Sequence, residues 1–237
     1  MKKLAVFVEG LTEQLFMAKL FTEVAGSKNI VIESQKACKT TKGNRSFRPI
    51  CTISASSAAT DQKYYVLIRD CSGESTVKTD IRDCCEDMAK KKFEKILGLR
   101  DVAPSYSRPD IPMLEKLLAY GLPTRFIPIC MLLAVMECEA WFLAETTHYA
   151  RIDSNITLEA IVNLLSFDPS IENVEERESP AEDLNKIYRL AGKAYKKDFD
   201  RISRTVNALD YCYIYFDLRG RVTRLGAVID EIDTFLQ

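Results

Sequence analysis

Pairs of acidic residues follow three apolar runs of the sequence, and their chemistry is the most specific that the chain offers. The pairs are Glu9 with Glu13, Asp70 with Glu74, and Glu137 with Glu139. Hard divalent cations prefer oxygen ligands, and one or two carboxylates hold each Mg²⁺ ion. Hydrolysis of a phosphodiester by two metal ions needs them about 3.5–4 Å apart, so several carboxylates must converge on one cleft. The pattern therefore predicts a site for Mg²⁺ or Mn²⁺ formed by these acids.

Spacing limits which member of each pair can face a shared metal. Glu9 and Glu13 can converge because Gly10 lets the chain turn between them, although a place in the first helical turn also explains Glu13. Glu137 and Glu139 share a face in extended chain but point in nearly opposite directions in a helix. We favour Glu139 slightly and leave both open. For any single acid, solvation or helix capping is the better explanation. Acids at three successive strand ends shift the balance toward a metal site without deciding between the two interpretations.

The elements before these acids must be neighbouring strands if the acids are to meet. Apolar runs predict strands over residues 4–8, 29–32, 64–68 and 126–135. Apolar residues at helical spacing predict helices over residues 12–25, 75–97 and 112–120. This alternation predicts an α/β fold with a mostly parallel, Rossmann-like sheet and helices on both faces. Ligands of such sheets bind at the carboxyl ends of the strands, where Glu9, Asp70 and Glu137 fall.

The composition changes near residue 147, which predicts an α/β core over residues 1–147 and a helical part over residues 148–237. Ser179-Pro180-Ala181-Glu182 is typical of a capped helix start with proline at the first helical position. Residues 223–236 repeat apolar side chains at helical spacing and predict the last helix. We expect the helical part to pack on the core.

Bulk composition excludes several classes of protein. The net charge of −1 argues against a basic nucleic-acid-binding surface over the whole chain. Eight cysteines without a CxxC pair, together with a single histidine, argue against a zinc site. The apolar start is too short for a signal peptide, and no run approaches the ~20 residues that cross a bilayer. We therefore expect a cytoplasmic protein with reduced cysteines and no membrane segment.

Two groups of basic residues are candidates for contact with phosphate. The first is a polar segment over residues 36–48, without an acid, that contains Lys36, Lys39, Lys42, Arg45 and Arg48. It either grips a nucleic-acid backbone or is a solvated loop. The second group is Lys193 and Lys196, either of which could stabilise charge on a phosphate in a transition state or be an ordinary surface lysine.

Four segments together resemble a bacterial TOPRIM-fold family that is related to the RloB-like and OLD-family nucleases. They are VEGLTE at residues 8–13, RDCSGE at 69–74, MECEAWFLAE at 136–145 and SPAEDLNKIYRLAGKAYKK at 179–197. The resemblance covers most of the chain, and EAWFLAE is its most specific element. It implies a magnesium-dependent nuclease site and a role in anti-phage defence beside an ABC- or SMC-like ATPase. Glu9 would match the TOPRIM glutamate, a metal ligand or general acid/base, and Asp70 the first aspartate of the DxD element.

The chain departs from this family at Ser72, which stands where the second aspartate of the DxD element is expected. Loss of one carboxylate weakens one metal position, and Glu74 can replace it only if the loop folds back.

The leading hypothesis is a metal-dependent nuclease acting on DNA or RNA, with Glu9, Asp70, Glu139 and Lys196 as catalytic residues. The alternative is a weak or inactive regulatory subunit that binds an ATPase partner. Nucleotide binding in a Rossmann-like sheet is weaker, because the chain has no GxGxxG or Walker A motif. A homo-oligomer is possible, and the sequence leaves the oligomeric state open.

Overall fold

The computed structural model describes residues 1–37, 50–55 and 62–237. These residues form an α/β fold around a six-stranded sheet in the order β3-β2-β4-β1-β5-β6. The strands are β1 (Lys2–Val8), β2 (Ile30–Ala37), β3 (Ile50–Ala55), β4 (Tyr64–Asp70), β5 (Lys95–Asp101) and β6 (Ile129–Ala134). Strand β1 pairs in parallel with β4 and β5, and β2 pairs in parallel with β4. Strands β2 and β3 pair in antiparallel orientation. The predicted fold class, a mostly parallel sheet with flanking helices, is confirmed.

Both faces of the sheet are covered because β1 and β4 are apolar on both sides. Ala5 and Phe7 of β1 pack in one core cluster with Val77 and Ile81 of helix α2 (Val77–Lys90). Side chains alternate along a strand, so Leu4 points to the opposite face, where it is also buried.

Helix α1 (Leu11–Ala25) contacts β2 and β4. The ring of Phe235, near the end of the last helix, packs edge-on against Phe21 of α1 and Tyr64 of β4. The polar side chain of Gln14 fixes α1 to the carboxyl ends of two strands, because its Nε2 donates to Gln35 O at 2.7 Å and Ile68 O at 3.2 Å.

The predicted helix over residues 75–97 is wrong at its C-terminal end. Helix α2 stops at Lys90, Lys92 has a left-handed φ of 64°, and residues 95–101 form β5. The apolar residues Phe93 and Leu97 do fall at helical spacing, but Leu97 pairs in parallel register with Val6 of β1. Pairing with a distant strand overrides the local pattern, as it often does in the centre of a sheet. Strand β3 also has no counterpart in the sequence prediction.

The chain divides into two compact units. The first comprises residues 1–100, 111–132 and 234–237, and includes helix α3 (Ile111–Ala119). The second comprises residues 101–110 and 133–233. Residue 147, where the sequence analysis placed the end of the core, lies within the second unit.

The second unit is mainly helical. Its helices are α4 (Glu139–Ala144), α5 (His148–Ile152), α6 (Leu158–Leu165), α7 (Pro180–Arg189), α8 (Phe199–Ala208), α9 (Tyr211–Tyr213), α10 (Arg219–Arg221) and α11 (Thr223–Leu236), and a π-helix (Ile214–Leu218) joins α9 to α10. The last three residues of α11 belong to the first unit. The helix predicted over 223–236 is therefore confirmed. Helix α7 has Pro180 in its first turn as predicted, but the Ser179 side chain makes no capping hydrogen bond. None of the helices in the described ranges has the length and apolar character needed to cross a bilayer.

Candidate metal centre

Glu9 and Asp70 lie at the carboxyl ends of neighbouring parallel strands in the first unit. Val8, the last residue of β1, is in register with Asp70, the last residue of β4. Two backbone hydrogen bonds continue the pairing past the strands: Cys71 N donates to Val8 O and Gly73 N donates to Glu9 O, each at 2.9 Å. The two acids that sequence reasoning ranked first are therefore placed side by side along the backbone. Asp70 is buried, whereas Glu9 is partly exposed.

The turn after β4 holds the Asp70 carboxylate in one orientation. Its Oδ1 accepts a hydrogen bond from Ser72 N at 2.7 Å and contacts Ser72 Oγ at 3.4 Å. Ser72 has a φ of 56°, an uncommon left-handed conformation for a serine. Such a conformation costs of order 1 kcal/mol and persists where its surroundings require it. Ser72, which replaces the expected second aspartate, thus acts on Asp70 through its backbone and hydroxyl.

The second oxygen of Asp70 faces a cation. Lys36, in register with Asp70 on β2, places its Nζ 3.4 Å from Asp70 Oδ2. The carboxylate is 2% exposed and the lysine side chain 47% exposed, so the pair lies at the boundary between core and solvent. The other candidate phosphate-binding residues of the basic segment, Lys39, Lys42, Arg45 and Arg48, lie outside the described residues.

Glu13 has a structural role whether or not it binds a metal. Its Oε2 accepts a hydrogen bond from Gly10 N at 2.9 Å, which completes the first turn of α1. The side chain is buried near the positive end of the helix, where a carboxylate is favoured. Glu74 begins a short 3₁₀ turn, Glu74–Thr76, directly after Gly73.

A second group of acids lies in the second unit, at the ends of β5 and β6. Asp101 Oδ1 accepts a hydrogen bond from Cys138 N at 3.0 Å, which caps α4. Glu137 Oε2 accepts from Ala181 N, at the start of α7, at 2.9 Å. Glu137 therefore supplies the helix cap that Ser179 does not provide.

Glu139 is fully buried and is held by a tyrosine and a lysine. Tyr195 Oη donates to Glu139 Oε1 at 2.8 Å, and Lys197 Nζ lies 3.4 Å from the same oxygen. Lys197 also contacts Glu137 Oε1 at 3.0 Å, so one ammonium group links the two glutamates. Burial alone would lower the pKa of Lys197, but the negative charges of Glu139, Glu137 and Asp101, with the Cys138 thiol, outweigh it and raise that pKa.

The backbone before these glutamates is strained. Met136 has a φ of 58°, and Glu137 N donates to Val135 O at 2.8 Å across it, which forms a tight three-residue turn. A bulky side chain rarely adopts this conformation. The turn directs Glu137 and Glu139 differently: Glu137 stays partly exposed and Glu139 enters the core. Helix α4 begins at Glu139, so the two glutamates do not continue an extended strand. Of the two alternatives from the sequence, the helical one, in which the glutamates point in different directions, therefore applies.

The two predicted lysines of the second unit lie apart from these acids. Lys196 is exposed, and Lys193 Nζ contacts Asp153 Oδ2 at 3.0 Å. The neighbouring Lys197 makes the carboxylate contacts instead. Lys197, Tyr195 and Asp101 were not among the predicted site residues. Tyr195 and Lys197 do lie in the segment 179–197 that carries part of the family resemblance. Asp101 follows the apolar residues 96–99, of which the predicted helix took those up to 97.

The single histidine belongs to a buried polar network with Glu145. His148 Nε2 lies 3.1 Å from Tyr188 Oη, and its Nδ1 faces Glu145 O and Glu145 Oε2. Burial would raise the pKa of Glu145, but hydrogen bonds from His148, Thr147 and the backbone of Asp210 outweigh burial and lower it. The network joins α5, α7 and α8 and gives His148 a structural role.

Asp70 places carboxylate oxygens at a strand end, and such oxygens are the donors that Mg²⁺ prefers in proteins. In this structure its Oδ2 faces the Lys36 ammonium group. Comparison of the chain with protein-family models, with curated proteins and with solved structures found no significant match.

Proposed function

We propose that this protein is a magnesium-dependent nuclease of the TOPRIM type that hydrolyses phosphodiester bonds. The observation that carries the proposal is that Glu9 directly follows Val8, the strand partner of Asp70. The Asp70 carboxylate faces the ammonium group of Lys36, which shows that its surroundings accept a positive charge. The segments VEGLTE and RDCSGE, in which these residues occur, support the same reading through their resemblance to TOPRIM proteins.

Glu9 and Asp70 would hold the metal, and each has a position suited to a different task. When bound, Mg²⁺ would stabilise charge on the phosphate oxygens and lower the pKa of a water molecule. Asp70 is a fixed ligand, because Ser72 N holds its Oδ1. Glu9 is partly exposed and can exchange a proton with a water molecule as well as bind the ion. Glu139 and Lys196 remain proposed contributors, although the contacts of Glu139 also give it a role in folding.

The test is cleavage of labelled single- and double-stranded DNA and RNA by the whole chain in Mg²⁺. Glu9→Gln keeps the shape of the side chain and removes its charge, and we expect cleavage to fall at least about 100-fold. Glu23→Gln is the matched control, because Glu23 is an exposed acid that pairs with Lys19 on α1. Undiminished cleavage by Glu9→Gln, or wild-type cleavage that persists in excess EDTA, would contradict the proposal.

A second candidate is a weak or inactive regulatory subunit that acts in the cytoplasm through an ABC- or SMC-like ATPase partner in phage defence. Ser72 favours it, since this residue brings a hydroxyl rather than a carboxylate to Asp70. Ser72→Asp separates the candidates, because aspartate tolerates a left-handed φ and would supply the missing carboxylate. Cleavage that appears only in Ser72→Asp, together with wild-type protein that purifies with a large ATPase, would support the regulatory role. Cleavage by the isolated wild type at least as fast as that by Ser72→Asp would refute it.

A further inference from the structure

Lys36 and a metal ion would compete for the same oxygen of Asp70. Ser72 N donates to Asp70 Oδ1, whereas Lys36 Nζ lies 3.4 Å from Asp70 Oδ2. A divalent cation on Oδ2 would meet the lysine ammonium at close range, where like charges repel. One of the two must therefore leave.

The lysine is the group that can leave at low cost. Its side chain is 47% exposed, so the ammonium group regains water when it leaves, whereas Asp70 is 2% exposed and exchanges the lysine for the metal ion. We therefore expect loss of the lysine contact to change the metal-binding constant by only about two- to fivefold. Its backbone is nevertheless fixed, because Lys36 is in register with Asp70 within the sheet. A displaced ammonium group therefore stays beside the candidate metal centre.

We infer that Lys36 is a positioning residue that releases Asp70 when a divalent cation binds and then pairs with a phosphate of the substrate. The exchange rests on the proposed function. Every charge keeps an opposite charge as its partner: Asp70 exchanges the Lys36 ammonium for the metal ion, and Lys36 exchanges the Asp70 carboxylate for a phosphate. Lysine suits this role because its ammonium is a compact charge on a flexible stem. Metal binding and substrate binding are therefore coupled through one side chain.

The first experiment is calorimetric titration of the full chain with Mn²⁺ or Mg²⁺, comparing wild type, Lys36→Met and Lys19→Met. Lys19 is the matched control, a partly exposed lysine that pairs with Glu23 on α1. We expect Lys36→Met to bind metal about two- to fivefold more tightly than wild type, because its competitor is gone. Lys19→Met should bind as wild type does.

The second experiment is binding of a fluorescent single-stranded DNA oligonucleotide in Ca²⁺, a divalent cation that also takes oxygen ligands, and in EDTA. Lys36→Met should bind the oligonucleotide at least threefold more weakly than wild type in Ca²⁺ and equally in EDTA. Equal binding by both proteins in Ca²⁺, or unchanged or weaker metal binding by Lys36→Met, would overturn the exchange and leave the metal site standing. Absence of metal binding by wild type and Lys36→Met alike would instead overturn the proposed function.

Discussion

Replacing Lys197 by methionine is expected to lower the free energy of unfolding of the second unit by about 2 kcal/mol. Lys197 Nζ lies 3.0 Å from Glu137 Oε1 and 3.4 Å from Glu139 Oε1. At these separations a unit charge pair is worth about 1 kcal/mol in water and about 5 kcal/mol at an effective dielectric constant of 20. The lysine side chain is 49% exposed, so solvent screening brings the expected value toward the lower end.

Most of that cost comes from Glu139, which the variant leaves buried without its cationic partner. Glu139 keeps its hydrogen bond from Tyr195, so the loss stays below the 3–5 kcal/mol typical of a fully broken buried pair. The pKa of Lys197 is raised in the folded protein, so its stabilisation is complete below the unfolded lysine pKa of about 10.4 and is lost only at higher pH. The difference between wild type and Lys197→Met should therefore be constant from pH 6 to pH 9.

The assay is equilibrium denaturation in guanidinium followed by the fluorescence of Trp141. This residue is the only tryptophan of the chain, is fully buried, and lies in α4 two residues after Glu139. Lys196→Met is the matched control, since Lys196 is exposed and adjacent, and it should shift stability by less than about 0.5 kcal/mol.

A double-mutant cycle with Glu139→Gln isolates the charge effect. The glutamine can still accept the hydrogen bond from Tyr195, so Lys197→Met should cost at least about 1 kcal/mol less in that background. An equal cost in both backgrounds, or a cost no greater than that of Lys196→Met, would refute the reasoning.

Two further predictions concern the second unit. Gly226→Ala should destabilise it by about 1–3 kcal/mol in the same assay, because a Cβ at Gly226 would lie 2.5 Å from Arg219 O. The control is Gly220→Ala, where a Cβ meets nothing within 4 Å. Equal losses of stability in the two variants would contradict this prediction. The folded pKa of Glu145 is lowered, so its contribution is present above the unfolded pKa of about 4.3 and is lost as the pH falls through the folded value. The melting temperature should therefore fall more steeply below pH 4.5 in wild type than in Glu145→Gln, and parallel curves would disprove the linkage.

Local patterns in the sequence were sufficient for the fold class and for the placement of Glu9 and Asp70 at neighbouring strand ends. The apolar run 4–8 and the run 64–68 each end at an acid, and parallel strands bring their carboxyl ends to one edge of the sheet. Covering both faces of a strand demands an unbroken apolar run, which is a local signal. Helix α1 and the last helix are predicted from apolar side chains at helical spacing, which is also a local signal.

Only the tertiary structure decided the identity of β5 and the partners of the charged residues. Residues 95–101 carry apolar side chains compatible with either a helix or a strand, and pairing with β1 selects the strand. Ion pairs such as Lys36 with Asp70 and Lys197 with Glu139 join residues far apart in sequence. Neighbouring lysines such as Lys196 and Lys197 have the same chemistry in the sequence, and only the path of the backbone determines which one meets a carboxylate.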